Sequence, residues 1–271
     1  MTVTQTKSPH QSELQTVQSR GWSGGFGNLV RKELDQWWGT GAWWIHLLIW
    51  TVILIGISTA ILIDGQSAGR TPTELRDEMV QTFILLAGMA IGIGVVITVQ
   101  GSIVGEKESG TAAWVMSKPV SRQSFVLSKT VAHTIGFWAT AIAVPAAIFL
   151  VGMRVFVSEP VGVRPFMAAL GLVALVALFY IAFTLMLGTM FGGIGPIAGV
   201  GIGFALIGMF FKDMLPQALV RYTPWTLPDL ASAIALDAPL PSDWRVPMIA
   251  TGCWVMGLTA VALWRFGREE L

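Results

Sequence analysis

Six apolar stretches, each near the length needed to cross a bilayer, leave this chain few architectures. They are Trp43–Ile63, Val80–Val104, Phe125–Val151, Phe166–Met190, Ile194–Phe211 and Val246–Phe266. A helix needs about 20 predominantly apolar residues to traverse the hydrocarbon core. The fifth stretch is short and Gly-rich, and only Gly192-Gly193-Ile194-Gly195-Pro196 separates it from the fourth. These two are expected to form a tight antiparallel hairpin. Charged residues make up 12% of the chain and hydrophobic ones 54%, whereas soluble domains carry about 25% charge. The expected fold is therefore an all-α integral membrane protein with six transmembrane helices. A net charge of +1 offers no nucleic-acid footprint. The single cysteine, Cys253, falls in the sixth stretch and reads as a small buried hydrophobe.

Orientation follows the Lys/Arg bias. With the N-terminus inside, the inner segments hold Lys7, Arg20, Arg31, Lys32, Lys107, Lys118, Arg122, Lys129, Arg265 and Arg268, ten of the 17 cations. Both termini are thus expected on the cytoplasmic side of the inner (plasma) membrane. Residues 1–27 are rich in Gln, Ser and Thr and have no apolar core, which argues against a signal peptide and for a disordered cytoplasmic tail. Residues 28–271 form the membrane domain. Trp37, Trp38, Trp43 and Trp44 cluster where the first span begins, as aromatic belts do at headgroup depth. Just before it, Val30, Leu34 and the Trp37/Trp38 pair share one helical face, with Arg31, Lys32 and Asp35 away from it. This predicts a short helix in the inner interface, either an anchor for the first span or a lever that feels a partner.

The span interiors carry no Asp, Glu, Lys or Arg; Lys129 stands near the inner end of the third. Ion-coupled transporters usually mark their pathway with such charges, so a proton- or sodium-driven carrier is disfavoured. No paired carboxylates or Ser/His/Asp set suggests an intramembrane hydrolase. His46 and His133 read as hydrogen-bonded interface histidines. There is no metal-ligand spacing and no phosphate-binding loop. The chain is accordingly read as no enzyme, and any uphill work must draw on another chain. Gly195, Gly199 and Gly203 recur every four residues, a spacing that lets helix backbones approach closely. They could pack within the chain or against a second copy.

The loop between the second and third spans is patterned like a folded element. Gly110 can end or bend a helix, and Thr111 can cap a new one. Ala112, Trp114, Val115 and Met116 would give that helix an apolar surface, Pro119 should stop it, and Ser121 can cap the extension of the third span. The expected object is a short helix across the inner mouth, tied to spans two and three.

Glu106-Lys107-Glu108-Ser109-Gly110-Thr111, followed by Lys118-Pro119-Val120-Ser121-Arg122 and Lys129, resembles the cytoplasmic signature of ABC-2-type permeases, the membrane subunits of ATP-binding-cassette transporters. The Arg31-Lys32-Glu33-Leu34 helix, the six spans and the long last outer loop fit the same family, over about residues 28–267. The resemblance implies a permease subunit, mostly of exporters. It would pair with a second permease copy or a related chain and with separate ATPase subunits, which would hold ATP and Mg; this chain itself would hold no cofactor. It implies a coupling helix at Glu106–Lys118. Glu106 and Glu108 would offer charge contacts to the ATPase, Gly110 and Thr111 would set the helix start, and Pro119 and Arg122 its end. Arg31 and Lys32 are expected to touch the ATPase as well.

Tyr222-Thr223-Pro224-Trp225, with Leu227 to Ala233 after it, is similar to the family's re-entrant outer segment between spans five and six. Half-helices there are tolerated if buried in protein, and Tyr222, Pro224 and Trp225 are candidate gate residues. The apolar spans suggest a hydrophobic or amphipathic substrate. The alternative is a non-transporting scaffold or accessory subunit of a larger membrane complex.

Overall fold

The computed structural model describes residues 23–157 and 159–269. Most of the expected tail therefore lies outside the described residues, which contain helices and no strand. The helices are α1 (Phe26–Gly39), α2 (Ala42–Ser67), α3 (Pro72–Val99), α4 (Gly101–Glu108), α5 (Thr111–Met116), α6 (Arg122–Phe137), α7 (Val144–Phe156), α8 (Val163–Met190), α9 (Ile194–Phe210), α10 (Gln217–Val220), α11 (Leu227–Ala235) and α12 (Arg245–Gly267). A π-helical turn, Trp138–Ala143, joins α6 to α7.

Five helical stretches are long and apolar enough to span a membrane: Ala42–Ser67, Pro72–Glu108, Arg122–Phe156, Val163–Met190 and Arg245–Gly267. The fifth expected span is α9, with 17 residues. At 1.5 Å per residue it measures roughly 26 Å, short of a hydrocarbon core about 30 Å thick. Two spans begin earlier than apolar runs alone predict because polar caps extend them. Thr71 and Glu74 form a reciprocal capping box ahead of α3, with Pro72 in its first turn. Ser121 accepts the Ser124 N–H at 3.0 Å to start α6, as its sequence position predicts. The π turn precedes Pro145, whose ring would collide with the carbonyl four residues back in a regular helix. The wider turn absorbs that conflict.

α8 is the centre of the bundle. Its most apolar window is 72% buried, against 17% for those of α2 and α12, and it packs on α3, α11 and α12. Lipid tails are as apolar as leucine, so close fit rather than a hydrophobic drive holds such helices together. Cys253, expected to be buried, is instead exposed on α12. An apolar residue on a lipid-facing surface needs no protein cover.

The two described chain ends meet at one end of the bundle. Gly24 C=O accepts the Ser121 N–H at 3.1 Å. Arg122 donates to the carbonyls of Gly267 (3.1 Å) and Glu269 (2.5 Å), and the Phe125 and Phe266 rings stack with centroids 4.9 Å apart. The loop between α3 and α6 lies at that same end. At the opposite end, α11 folds back into the bundle, wedged between α3 and α8. A Cβ on Gly88 would lie 2.8 Å from Pro228, and one on Gly208 2.1 Å from the Trp225 ring. Gly88 is roughly 24 Å along α3 from Pro72 at helical rise, so the segment penetrates the bundle rather than capping it.

Candidate functional site

The buried face of α1 is centred on Leu29 and Glu33 and shares Trp37 with the Val30, Leu34 and Trp37/Trp38 stripe that apolar spacing predicts, while Val30 and Leu34 are half-buried. The face is displaced because a carboxylate occupies its centre and has a partner. Lys129, on α6 and only 2% exposed, directs its ammonium to both Glu33 oxygens (3.1 and 3.2 Å) and to Glu106 Oε1 at the end of α4 (2.7 Å). Lys32 reaches the same Glu106 oxygen at 2.8 Å and Glu33 Oε1 at 3.1 Å. Two ammonium groups and two carboxylates thus tie α1, α4 and α6 together.

Burial makes such a cluster costly unless every charge is answered. Here each ammonium meets both carboxylates. Burial alone would lower the Lys32 pKa, but the hydrogen bond to Glu106 and the charges of Glu33 and Glu106 outweigh it and hold the ammonium above its usual value. Glu106 therefore has one oxygen committed inside the chain, and its side chain is 15% exposed. Arg31, by contrast, is exposed, and among the described residues its ion pair is with Asp35, at 3.8 Å.

The loop differs from expectation in extent. Glu106 to Glu108 end α4, which continues α3, and the separate helix is Thr111–Met116 rather than Glu106–Lys118. Its cap is Gly110, in the left-handed conformation at φ 72°, which glycine adopts at little cost. Thr111 opens the helix without capping it and pairs its hydroxyl with Ser109 at 2.9 Å. Ala112 and Val115 turn inward, while Trp114 is 62% exposed with the Lys118 ammonium 3.5 Å from its ring centroid. Glu108, Gly110 and Pro119 are exposed beside it. Trp114 is the large side chain of this surface that residue-by-residue resemblance leaves out; its signal is an aromatic among small residues in a polar loop. Arg122 binds the end of α12, as described above, and Lys107 binds Glu269 at 2.7 Å. The loop is thus braced to three elements.

The histidines sit behind the cluster. Trp50 Nε1–H donates to His46 Nε2 (3.1 Å), leaving His46 Nδ1–H to donate to Thr140 Oγ1 (2.6 Å), whose hydroxyl donates to Gly136 C=O (2.8 Å). That chain is closed and makes His46 a satisfied structural residue. His133 meets Ser102 at 2.7 Å through Nε2. Among the described residues no group of three His, Cys, Asp or Glu could hold a metal ion.

At the opposite end Tyr222 is exposed, and its carbonyl accepts the Trp254 indole N–H at 2.9 Å. Pro224 is buried, and Trp225 lies against Phe204, with centroids 4.7 Å apart. Lys212, just after α9, pairs with Asp229 of α11. Gly195, Gly199 and Gly203 form an unoccupied stripe: a Cβ on any of them would meet nothing within 4 Å. The pattern therefore does no packing work inside the chain.

A family model described as "ABC-2 family transporter protein" matches residues 27–271. A Bacillus subtilis (strain 168) protein described as an uncharacterized transmembrane protein, YxlG, is 25% identical over 260 residues, which cover 89% of this chain and 97% of that relative.

Proposed function

Because the chain belongs to the ABC-2 family of transporter proteins, we propose that it is the permease subunit of an ATP-driven transporter, with the loop of α4 and α5 as its ATPase-docking element. Permeases of this family work with ATP-binding-cassette partners. The observation that carries the reading is the bracing of that loop. An exposed Trp114–Lys118 pair stands on a short helix, while Lys32, Glu33, Glu106 and Lys129 lock the base of the loop to α1 and α6. A push on α5 is therefore delivered to helices instead of being absorbed by a slack connector.

In this reading Glu108, Gly110, Thr111 and Pro119 shape the docking surface together with Trp114, and exposed Arg31 supplies a second contact. Glu106, Lys32 and Arg122 act behind them by holding the loop in place. The loop end of the bundle is cytoplasmic in the plasma membrane. α9 completes a sixth crossing, consistent with both described chain ends lying together. The open Gly195/Gly199/Gly203 stripe faces a second permease copy. Tyr222, Pro224 and Trp225 form part of an outer gate on an export path for an amphipathic substrate, with ATP and Mg held by the partner.

The test is affinity capture of the full chain in mild detergent, read by mass spectrometry. A stoichiometric ATP-binding-cassette ATPase is expected. Trp114→Ala and Glu108→Lys should release it while leaving the unfolding temperature unchanged. Recovery of other membrane proteins with no ATPase would favour an accessory scaffold instead.

A further inference from the structure

Between α1, the start of α2, the α3–α4 junction and α6 lies a cavity of about 790 Å³, within the range of small-molecule sites. Its lining is graded. Lys32, Glu106, Ser109 and Lys129 form one end, and Trp43, Ile45 and Ile49 the other. Ile45 and Ile49 are 64% and 47% exposed, and neighbouring Trp44 and Leu48 are 60% and 63% exposed. The apolar end therefore borders a broad outward face of α2 in a membrane-spanning helix. Three lining residues hold a buried polar atom with no partner among the described residues: Trp37 Nε1, Glu106 Oε2 and His133 Nδ1. Buried polar groups left unanswered are costly, and three residues of one cavity's lining that each carry such a group mark a place where a small side-chain rotation would let a polar ligand group answer them.

The geometry points to a zwitterionic phospholipid of the adjacent leaflet as the occupant, its headgroup on Trp37, Lys32 and Glu106 and its chains along Trp43, Ile45 and Ile49. The indole N–H of Trp37 suits a phosphate oxygen, as does a further N–H of Lys32, whose ammonium has three donors and whose side chain is 38% exposed. The free oxygen of Glu106 suits an ammonium group. Charge selects the class. The cluster already balances two lysines against two glutamates, so a headgroup bearing both signs leaves it neutral, whereas an anionic one imposes an unanswered charge. The amphipathic lining fits a lipid better than a soluble zwitterion, which would leave the apolar end unused.

The experiment uses the full chain in nanodiscs with photoreactive phosphatidylethanolamine or, separately, photoreactive phosphatidylglycerol of the same acyl chains. Adducts are mapped by mass spectrometry. Phosphatidylethanolamine should label residues 37–49 and 98–109 preferentially. Gly105→Leu should abolish that labelling, because Gly105 lines the cavity and a Cβ there meets nothing within 4 Å. Thr98→Phe at the exposed rim serves as a second plug should the first variant misfold. Glu106→Gln should erase the headgroup preference by about tenfold, the scale of one lost charge-assisted hydrogen bond. Equal labelling by both lipids, labelling indifferent to both plugs, or a disulfide between Thr98→Cys copies in place of lipid adducts would overturn the assignment. The ATPase-capture experiment does not depend on this outcome.

Discussion

Glu33 and Lys129 stand 96 residues apart in sequence and meet at 3.1 Å with both side chains nearly sealed from solvent. They join a helix that precedes the first span to the base of the third, and Glu106 adds the end of the second. Lys129→Met would leave two buried carboxylates sharing the single ammonium of Lys32. Removing one partner of a buried ion pair costs about 3–5 kcal/mol, so the variant should melt well below the parent in detergent. The double variant Lys129→Met/Glu33→Gln restores one ammonium to one carboxylate, Lys32 to Glu106, and should recover most of that loss. Equal melting of the single and double variants would show that the cluster is not the joint described here.

Lys32 adds a pH dependence of definite sign. Its folded pKa is raised above 10.5 despite burial, through the Glu106 hydrogen bond and the charges of Glu33 and Glu106. Its contribution to stability is present in full below the unfolded value and disappears as pH climbs through the folded one. Thermal unfolding followed from pH 8 to 12 should show an alkaline decline that is smaller in Lys32→Met. An identical decline in both proteins would assign it to other groups.

The long apolar runs were legible because the bilayer demands length and apolarity from each span separately. What lay hidden was relational. The α1 face was misassigned because hydrophobic spacing cannot find a buried Glu33, whose burial makes sense only with Lys129 in place. Glu106 belonged to the recognisable loop, yet nothing local distinguishes a carboxylate turned inward from Glu108, two residues on and exposed. Gly110 was readable as a break because a helix start needs its backbone freedom, whereas the short extent of α5 depends on how far α4 prolongs α3. The glycines of α9 look alike in sequence; only packing separates Gly208, under Trp225, from Gly199, where an added Cβ would meet nothing within 4 Å among the described residues.

Arg122 was expected at the end of the loop helix, and its guanidinium instead holds two carbonyls at the close of α12. Carbonyls there have no intrahelical donor, so a cation at that point also meets the negative end of the helix dipole. Arg122→Ala should cost about 1 kcal/mol, since the contact is partly exposed. It should also raise amide exchange over residues 262–269, while exchange in α8 stays at the parent rate. Unaltered exchange at the end of α12 would remove Arg122 from this role.

Gly88 and Gly199 should respond in opposite ways. Gly88 lies under Pro228, and a Cβ there would come 2.8 Å from it with the rigid ring unable to yield. Gly88→Leu should overpack the seam between α3 and α11, costing about 1–3 kcal/mol. On the proposed orientation it should lever the segment between α9 and α12 outward, so that protease cuts between Lys212 and Arg245 in intact right-side-out vesicles become faster. Gly199 faces open space on a helix surface, so Gly199→Leu should leave both melting and proteolysis at parent values. Its effect should appear only in assembly. If the stripe is where two copies meet, a leucine side chain would hold the helices apart, and light scattering of the detergent complex should shift from dimer toward monomer. A dimer that survives Gly199→Leu would move the contact to another face, with the outward surface of α2 the next to substitute.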